Sequence, residues 1–168
     1  DGNAPEAEEP LDVAVIDFGI KQHIVDFLRE KNCRLTLYPY GTEAEEIIAD
    51  DPDGIFLTNG PGNPEEAAEA IEEVKTLIAE SELPMFGIGL GHQILTIALG
   101  GSTYKLKYGH RGGNHGVYDK ETKRSYITSQ NHGYAVNHDS IILKGMEVTH
   151  LILNDGTVEG MEHRDLPI

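Results

Sequence analysis

The 168-residue sequence has one cysteine, Cys33, and no tryptophan. A single cysteine cannot form an internal disulfide, which excludes the disulfide-stabilised class of small secreted domains and favours a reducing compartment. We therefore expect a cytoplasmic protein. No run of about 18 apolar residues occurs, so we expect no membrane-spanning helix. A domain of this length buries enough surface to fold without disulfides or structural metals.

Basic residues are also scarce. Thirteen lysines and arginines stand against 29 aspartates and glutamates, which gives a net charge of −16. Such a chain would repel nucleic-acid phosphates, so we exclude non-specific binding to nucleic acid. The simplest interpretation is a well-solvated acidic surface. Adaptation to high salt and a basic partner surface remain alternatives.

The sequence divides into an acidic start and one domain. Residues 1–10 contain acids and prolines without apolar periodicity, which predicts a linker or disordered end. Residues 11–168 form the predicted domain. Within it, short apolar runs typical of strands alternate with segments of helical periodicity. The predicted strands are 11–18, 34–38, 54–57 and 85–88, and the predicted helices are 20–31, 43–49, 64–80 and 91–99.

This alternation predicts an α/β fold: a doubly wound, mostly parallel, flavodoxin-like sheet flanked by helices. After residue 102 the segments become shorter and more polar. Asn154-Asp155-Gly156 separates two strand-like runs at 147–153 and 157–162, which is a strong hairpin pattern. We therefore predict a small antiparallel β appendage in the C-terminal third.

Two glycine-rich segments, 58–64 and 87–92, follow the third and fourth predicted strands. Ligands of doubly wound sheets bind beyond the carboxyl ends of strands, so these segments are the candidate site. Both segments are also compatible with ordinary glycine-rich turns. A phosphate site at the helix N-terminus is a further alternative, but no lysine follows in phosphate-loop register.

Residues 84–93 (PMFGIGLGHQ) resemble the nucleophile elbow of class I glutamine amidotransferases, and Gly89 stands where that family normally has cysteine. In the family, the thiolate attacks the side-chain amide of glutamine and releases ammonia. The elbow suits this chemistry because a helix N-terminus lowers a thiol pKa and nearby N–H groups stabilise an oxyanion. Residues 60–62 (GPG) resemble the family's oxyanion-hole loop.

Residues 104–115 (YKLKYGHRGGNH) and 128–136 (TSQNHGYAV) resemble the small subunit of carbamoyl-phosphate synthetase. Asn63 and Gly116 are small departures, since aspartate and proline are common there. The resemblance implies that Leu90 contributes its backbone to the oxyanion hole. It also implies a glutamine site formed by Gly60, Gly62, Leu90, Gln93, Asn131, Gly133 and Tyr134.

The same resemblance implies partners and cofactors. Ammonia made from L-glutamine would pass to a large synthetase subunit, which forms carbamoyl phosphate for pyrimidine and arginine biosynthesis. ATP and magnesium would belong to that subunit, so we expect no cofactor in this domain. His110, His115 and His132 could suggest a metal site, but the sequence places no cysteine or carboxylate at ligand spacing. We expect structural or hydrogen-bonding histidines and no metal.

Catalysis is predicted to be absent. Gly89 has no side chain to form a thioester, and the family's triad histidine and glutamate, which follow a strand beginning near Ile168, are not in the sequence. We therefore expect a domain truncated before that strand. One hypothesis is a glutaminase fragment with an engineered or variant glycine. Another is a natural non-catalytic module that binds glutamine, or acts as a scaffold, in an ammonia-fed synthetase. A different class I amidotransferase is a third.

Overall fold

The computed structural model describes residues 9–168 and contains a parallel four-stranded sheet in the order β2-β1-β3-β4. Parallel pairing places Val13 opposite both Leu35 and Gly54, and Phe56 opposite Phe86. This confirms the predicted α/β class, and the strand order is the one typical of flavodoxin-like folds. The strands are β1 (Leu11–Asp17), β2 (Cys33–Pro39), β3 (Gly54–Leu57) and β4 (Met85–Gly87).

Helices connect these strands, as parallel pairing requires. They are α1 (Gln22–Glu30), α2 (Ala44–Ala49), α3 (Ala68–Glu80) and α4 (Leu90–Ala98). Aliphatic side chains from the sheet and from α2, α3 and α4 form the main core, in which Leu57, Leu77 and Ile94 are fully buried. In α3 the apolar periodicity marks the packed face, since Ile71, Val74 and Leu77 are buried, whereas in α1 the buried residue is Val25 and Phe27 is exposed.

The prediction of one continuous helix over 64–80 is wrong at its start. A separate 3₁₀ turn spans Pro64–Glu66, and α3 begins only at Ala68. The Asn63 side chain accepts a hydrogen bond from Glu65 N, and Pro64 follows it at the first position of the turn. Ala67, with φ −88° and ψ 42°, then changes the chain direction before α3. The capped turn explains the break, because it satisfies the first N–H groups locally.

The C-terminal third forms the predicted antiparallel unit. Its strands pair in the order β5-β6-β8-β7, and β7 returns to β5, so the sheet closes on itself. A second, smaller core within it includes Val136, Ile141 and Met146. The elements are β5 (Thr103–Asp119), β6 (Arg124–Val136), α5 (His138–Ile142), β7 (Met146–Ile152) and β8 (Val158–His163).

The predicted hairpin at Asn154-Asp155-Gly156 is confirmed. Ile152 N donates to Thr157 O at 2.9 Å, and Asp155 Oδ1 accepts from both the backbone N and the hydroxyl of Thr157. Gly156 has φ 75°, a conformation that glycine adopts without strain. The turn fixes the register of β7 and β8, and so decides which side chains of β8 face the rest of the unit.

Residues 9 and 10, the first that the structure describes, are exposed, whereas the last residues pack beside the parallel sheet. The predicted linker over 1–10 lies outside the described residues up to residue 8, and Glu9 and Pro10 are exposed. At the other end, Met85 N donates to Pro167 O at 2.9 Å, so the last residues run beside β4. Within residues 9–168, none of the helices is both long enough and apolar enough to cross a bilayer.

Candidate functional site

The turn between β4 and α4 is tied to the end of β3. Ile88 N donates to Leu57 O at 3.1 Å, and Gly91 N donates to Thr58 O at 3.0 Å. Between these two bonds, exposed Gly89 has φ 58° and ψ −114°, a combination outside the regions that residues with a Cβ favour. The elbow implied by the sequence resemblance is therefore present, with its central residue at the surface.

Glycines in the elbow and in the 58–64 segment permit close approaches to neighbouring backbone. A Cβ on Gly91 would stand 2.3 Å from Leu57 O, and a Cβ on Gly60 would stand 2.4 Å from Phe18 O. Both obstacles are backbone atoms, which cannot rotate away. These two glycines are therefore required by packing, whereas Gly62, with φ 106° and no atom within 4 Å of a Cβ, is required only by its backbone conformation.

A side chain at position 89 would emerge over the first glycine-rich segment, residues 58–64. An ideal Cβ on Gly89 would lie 3.3 Å from Asn59 Cβ and 3.7 Å from Asn59 Cα. Asn59 donates through Nδ2 to Gly19 O at 3.2 Å, while its buried Oδ1 has no hydrogen-bond partner among the described residues. The elbow and the 58–62 loop therefore face each other, as the sequence predicted for a shared site.

Gln93 links the elbow helix to the antiparallel unit. Its side chain is buried, and Nε2 donates to Tyr134 O at 2.9 Å. Asn131 and Gly133 lie on the same strand as Tyr134, and Asn131 is exposed opposite Arg111 of β5. The structure thus joins Gln93 to Tyr134 directly. It places Asn131 and Gly133 on the adjoining part of β6.

A cluster of imidazoles and carboxylates lies beside this link. Tyr134 O also contacts His132 Nδ1, at 2.8 Å. His132 Nε2 lies 3.2 Å from His110 Nδ1 and 3.3 Å from Glu159 Oε1, and His110 Nε2 contacts Asp155 Oδ2 at 2.9 Å. The sequence has no carboxylate at ligand spacing from these histidines, but the hairpin register brings Glu159 of β8 against β5 and β6.

The histidines around Glu159 have different electrostatic environments. The Glu159 carboxylate raises the pKa of His132 above its usual value, against the opposing effect of burial. Burial lowers the pKa of His92 to about 4, and its buried Nε2 has no hydrogen-bond partner in the described part of the chain. Sequence reasoning missed Glu159 and His92, since spacing along the chain gives no sign that α4, β6 and β8 meet.

The family model for "Glutamine amidotransferase class-I" matches residues 14–168. The chain belongs to this family. Carbamoyl phosphate synthase small chain of Clostridium acetobutylicum is 59% identical over 156 residues, which cover 93% of this chain and 44% of the relative. The corresponding protein of Clostridium perfringens is 51% identical over 156 residues, or 93% of this chain and 43% of the relative. This amidotransferase chain therefore spans less than half the length of these relatives.

A solved structure supports the same fold. A protein of Thermoplasma acidophilum, described as a candidate component of GMP synthase, superposes with a TM-score of 0.80 at 21% sequence identity. The match covers 96% of the amidotransferase chain and 82% of that protein. Identity this low indicates shared architecture only. The superposition confirms the predicted class I amidotransferase fold, with the parallel sheet and the antiparallel unit in one domain.

Proposed function

We propose that this amidotransferase domain is the glutamine-site part of a carbamoyl-phosphate synthetase small chain, and that the chain with Gly89 binds L-glutamine without hydrolysing it. The observation on which this rests is the elbow itself. Gly89 has the geometry of a nucleophile position above the 58–62 loop, but it has no nucleophilic atom. The similarity to two clostridial small chains supports the choice of synthetase.

The elbow geometry supports the proposed chemistry of a cysteine-bearing relative. Leu90 is the first residue of α4, so its N–H has no acceptor within the helix. An N–H at this end of a helix can donate to the oxyanion that forms when a thiolate attacks an amide carbon. Gly60 and Gly62 lie in the facing loop, where the absence of side chains allows backbone to approach a ligand closely.

The remaining proposed glutamine contacts come from Gln93 and from β6. Asn131, Gly133 and Tyr134 are consecutive or near-consecutive on that strand, and Tyr134 is fixed to Gln93 by the Nε2–O bond of 2.9 Å. Amide and backbone groups of this kind suit an amino acid that carries a primary amide. We further propose that the large synthetase subunit is the partner, and that ATP and magnesium bind there.

Two measurements on the 168-residue chain test the proposal. Isothermal titration with L-glutamine should give saturable binding, and D-glutamine is the matched control for a site that orients the amino-acid head. An enzyme-coupled ammonia assay should give no release above the buffer rate. Measurable ammonia release from the Gly89 chain would overturn the proposed loss of catalysis. Absence of glutamine binding would overturn the proposed binding role.

The Gly89→Cys variant separates the nucleophile from the remaining machinery. Among the described residues, the atoms within 4 Å of a Cβ at this position belong to Asn59, which is not a general base. The variant should therefore bind glutamine but release ammonia far more slowly than a complete small chain. Full activity in this variant would mean that a residue of the chain acts as the base. Sequencing the parent gene at codon 89 distinguishes a changed glutaminase from a natural non-catalytic module.

A further inference from the structure

Three potential ligand atoms converge in the antiparallel unit, beside the Tyr134 carbonyl that Gln93 and His132 share. His110 Nδ1 lies 3.2 Å from His132 Nε2 and 3.5 Å from Glu159 Oε1, and the third side, from His132 Nε2 to Glu159 Oε1, is 3.3 Å. A tetrahedral zinc ion with bonds of about 2.0–2.1 Å separates its ligand atoms by about 3.3–3.4 Å. The triangle therefore has the dimensions of one face of such a site.

The outer hydrogen bonds of both histidines determine where their protons are. Tyr134 O is a carbonyl oxygen, so His132 must donate to it through Nδ1–H, at 2.8 Å. Asp155 Oδ2 is a carboxylate oxygen, so His110 donates to it through Nε2–H, at 2.9 Å. In their neutral forms, both imidazoles therefore direct an unprotonated nitrogen at the triangle. Backbone carbonyls and carboxylates hold metal-binding histidines in this same way.

Three electron-pair donors then face one another without a positive group between them. The side chains of His110 and Glu159 are only 10% and 11% exposed, so water screens them little. Glu159 Oε1 is buried and has no hydrogen-bond partner among the described residues. When both imidazoles are neutral, neither of the nitrogens that face Glu159, His132 Nε2 at 3.3 Å and His110 Nδ1 at 3.5 Å, carries a proton, and a buried carboxylate in that setting is unfavourable unless a cation accompanies it. The arrangement requires either an added proton on one imidazole or a metal ion.

We propose that His110, His132 and Glu159 form a binding site for one divalent transition-metal ion of the zinc type. Two imidazole nitrogens and one carboxylate oxygen are a donor set that zinc accepts, and cobalt(II) can replace zinc as a spectroscopic probe. The three ligands come from β5, β6 and β8. In the described part of the chain, β6 and β8 share one register pair, Val136 with Val158, so the bound ion would add a cross-link between them. The proposal does not depend on the proposed glutamine function.

The test uses the untagged 168-residue chain after removal of metals with a chelator. Zinc titration by calorimetry should give one ion per chain, and cobalt(II) should give the visible absorption of a tetrahedral site. Glu159→Gln keeps the side-chain shape but removes the anionic ligand, so zinc affinity should fall at least about 100-fold. The matched control is His138→Asn, because His138 is an exposed histidine beside Asp139 that lies outside the cluster.

A graded variant tests the outer hydrogen bond. Asp155→Asn can keep the oxygen that accepts from Thr157, but its amide nitrogen cannot accept from His110 Nε2. Zinc affinity should fall about 10- to 100-fold in this variant, as it does when second partners of metal-bound histidines are lost. Near-UV circular dichroism checks that each variant is folded. If Glu159→Gln does not fold, the Asp155→Asn affinity decides the question.

Three results would overturn the proposal. The first is the absence of saturable zinc binding to the native chain, which would mean that the triangle holds a proton only. The second is zinc affinity that Glu159→Gln and Asp155→Asn both leave unchanged. The third is binding that disappears in His138→Asn, which would place the ion at a surface histidine. A thermal midpoint that zinc raises in the native chain, but not in Glu159→Gln, would support the proposal independently of calorimetry.

Discussion

Replacing Gly89 with alanine should destabilise the domain, even though a glycine is removed. With φ 58° and ψ −114°, Gly89 lies on the positive-φ side but far from the left-handed helical region near ψ +47°. A residue with a Cβ is strained there by about 1–3 kcal/mol. The Cβ would also lie 3.3 Å from Asn59 Cβ, a tight contact that a small shift can relieve. We therefore expect a loss of about 2 kcal/mol.

Urea unfolding followed by far-UV circular dichroism measures this loss, since the chain contains no tryptophan for fluorescence. For a domain of this size, about 2 kcal/mol corresponds to a fall of roughly 4–8 °C in the thermal midpoint. Gly113→Ala is the matched control, because Gly113 is exposed and its nearest atom to a Cβ is Ser129 Oγ at 3.6 Å. Gly89→Cys should lose as much stability as Gly89→Ala, because the strain is in the backbone.

A double-mutant cycle with Asn59→Gly separates strain from contact. Removing the Asn59 Cβ eliminates the 3.3 Å approach but leaves the backbone angles of residue 89 in place. Most of the Gly89→Ala loss should therefore persist in the Asn59→Gly background. A loss below about 0.5 kcal/mol in the original background would refute the strained elbow. A loss that vanishes only with Asn59→Gly would assign the effect to crowding and not to strain.

Two further predictions concern packing and pH. Gly91→Ala should lower the free energy of unfolding by about 1–3 kcal/mol or more, because its Cβ would overlap Leu57 O at 2.3 Å. Urea unfolding measures this loss, with Gly113→Ala as the control. Equal stability of the two variants would contradict the close approach of α4 to β3. Burial, together with Asp50, raises the pKa of Tyr38 to about 12, so the folded chain resists losing that proton. The free energy of unfolding should therefore fall as pH rises above about 10, the pKa of tyrosine in the unfolded chain. Tyr38→Phe should lose this part of the pH dependence of stability. An ultraviolet titration in which Tyr38→Phe removes a tyrosine component that ionises below about pH 11 would contradict the raised pKa.

The parallel sheet could be predicted from sequence because its strands are short apolar runs between amphipathic helices. The Gly54–Leu57 strand has the predicted bounds, and the hairpin around Gly156 follows from turn chemistry that is local in sequence. The break at Ala67 could not be predicted from periodicity, since the apolar spacing of α3 continues across it. It depends on the Asn63 cap, which competes with helix formation only locally.

The candidate site also has a part that could be predicted from the sequence and a part that could not. The elbow and the facing loop could be predicted because glycine spacing along the chain reports backbone conformation and close approach. Glu159 could not be predicted as a neighbour of His110, because their proximity depends on closure of the antiparallel unit and on the register of β8. Spacing along the chain therefore could not reveal the carboxylate beside these histidines, because it does not report long-range register.

The contact between Gln93 and Tyr134 limits what Gln93 can offer a ligand. Tyr134 O accepts from Gln93 Nε2 at 2.9 Å and from His132 Nδ1 at 2.8 Å, which occupies both lone pairs of that carbonyl. Because the acceptor is a carbonyl, the amide nitrogen of Gln93 must face it, and the amide oxygen faces elsewhere. The amide oxygen of Gln93 and the second hydrogen on its Nε2 are therefore the groups left for other contacts. The same carbonyl joins the elbow helix to His132, so a change in the histidine cluster and a change at Gln93 act on one shared atom.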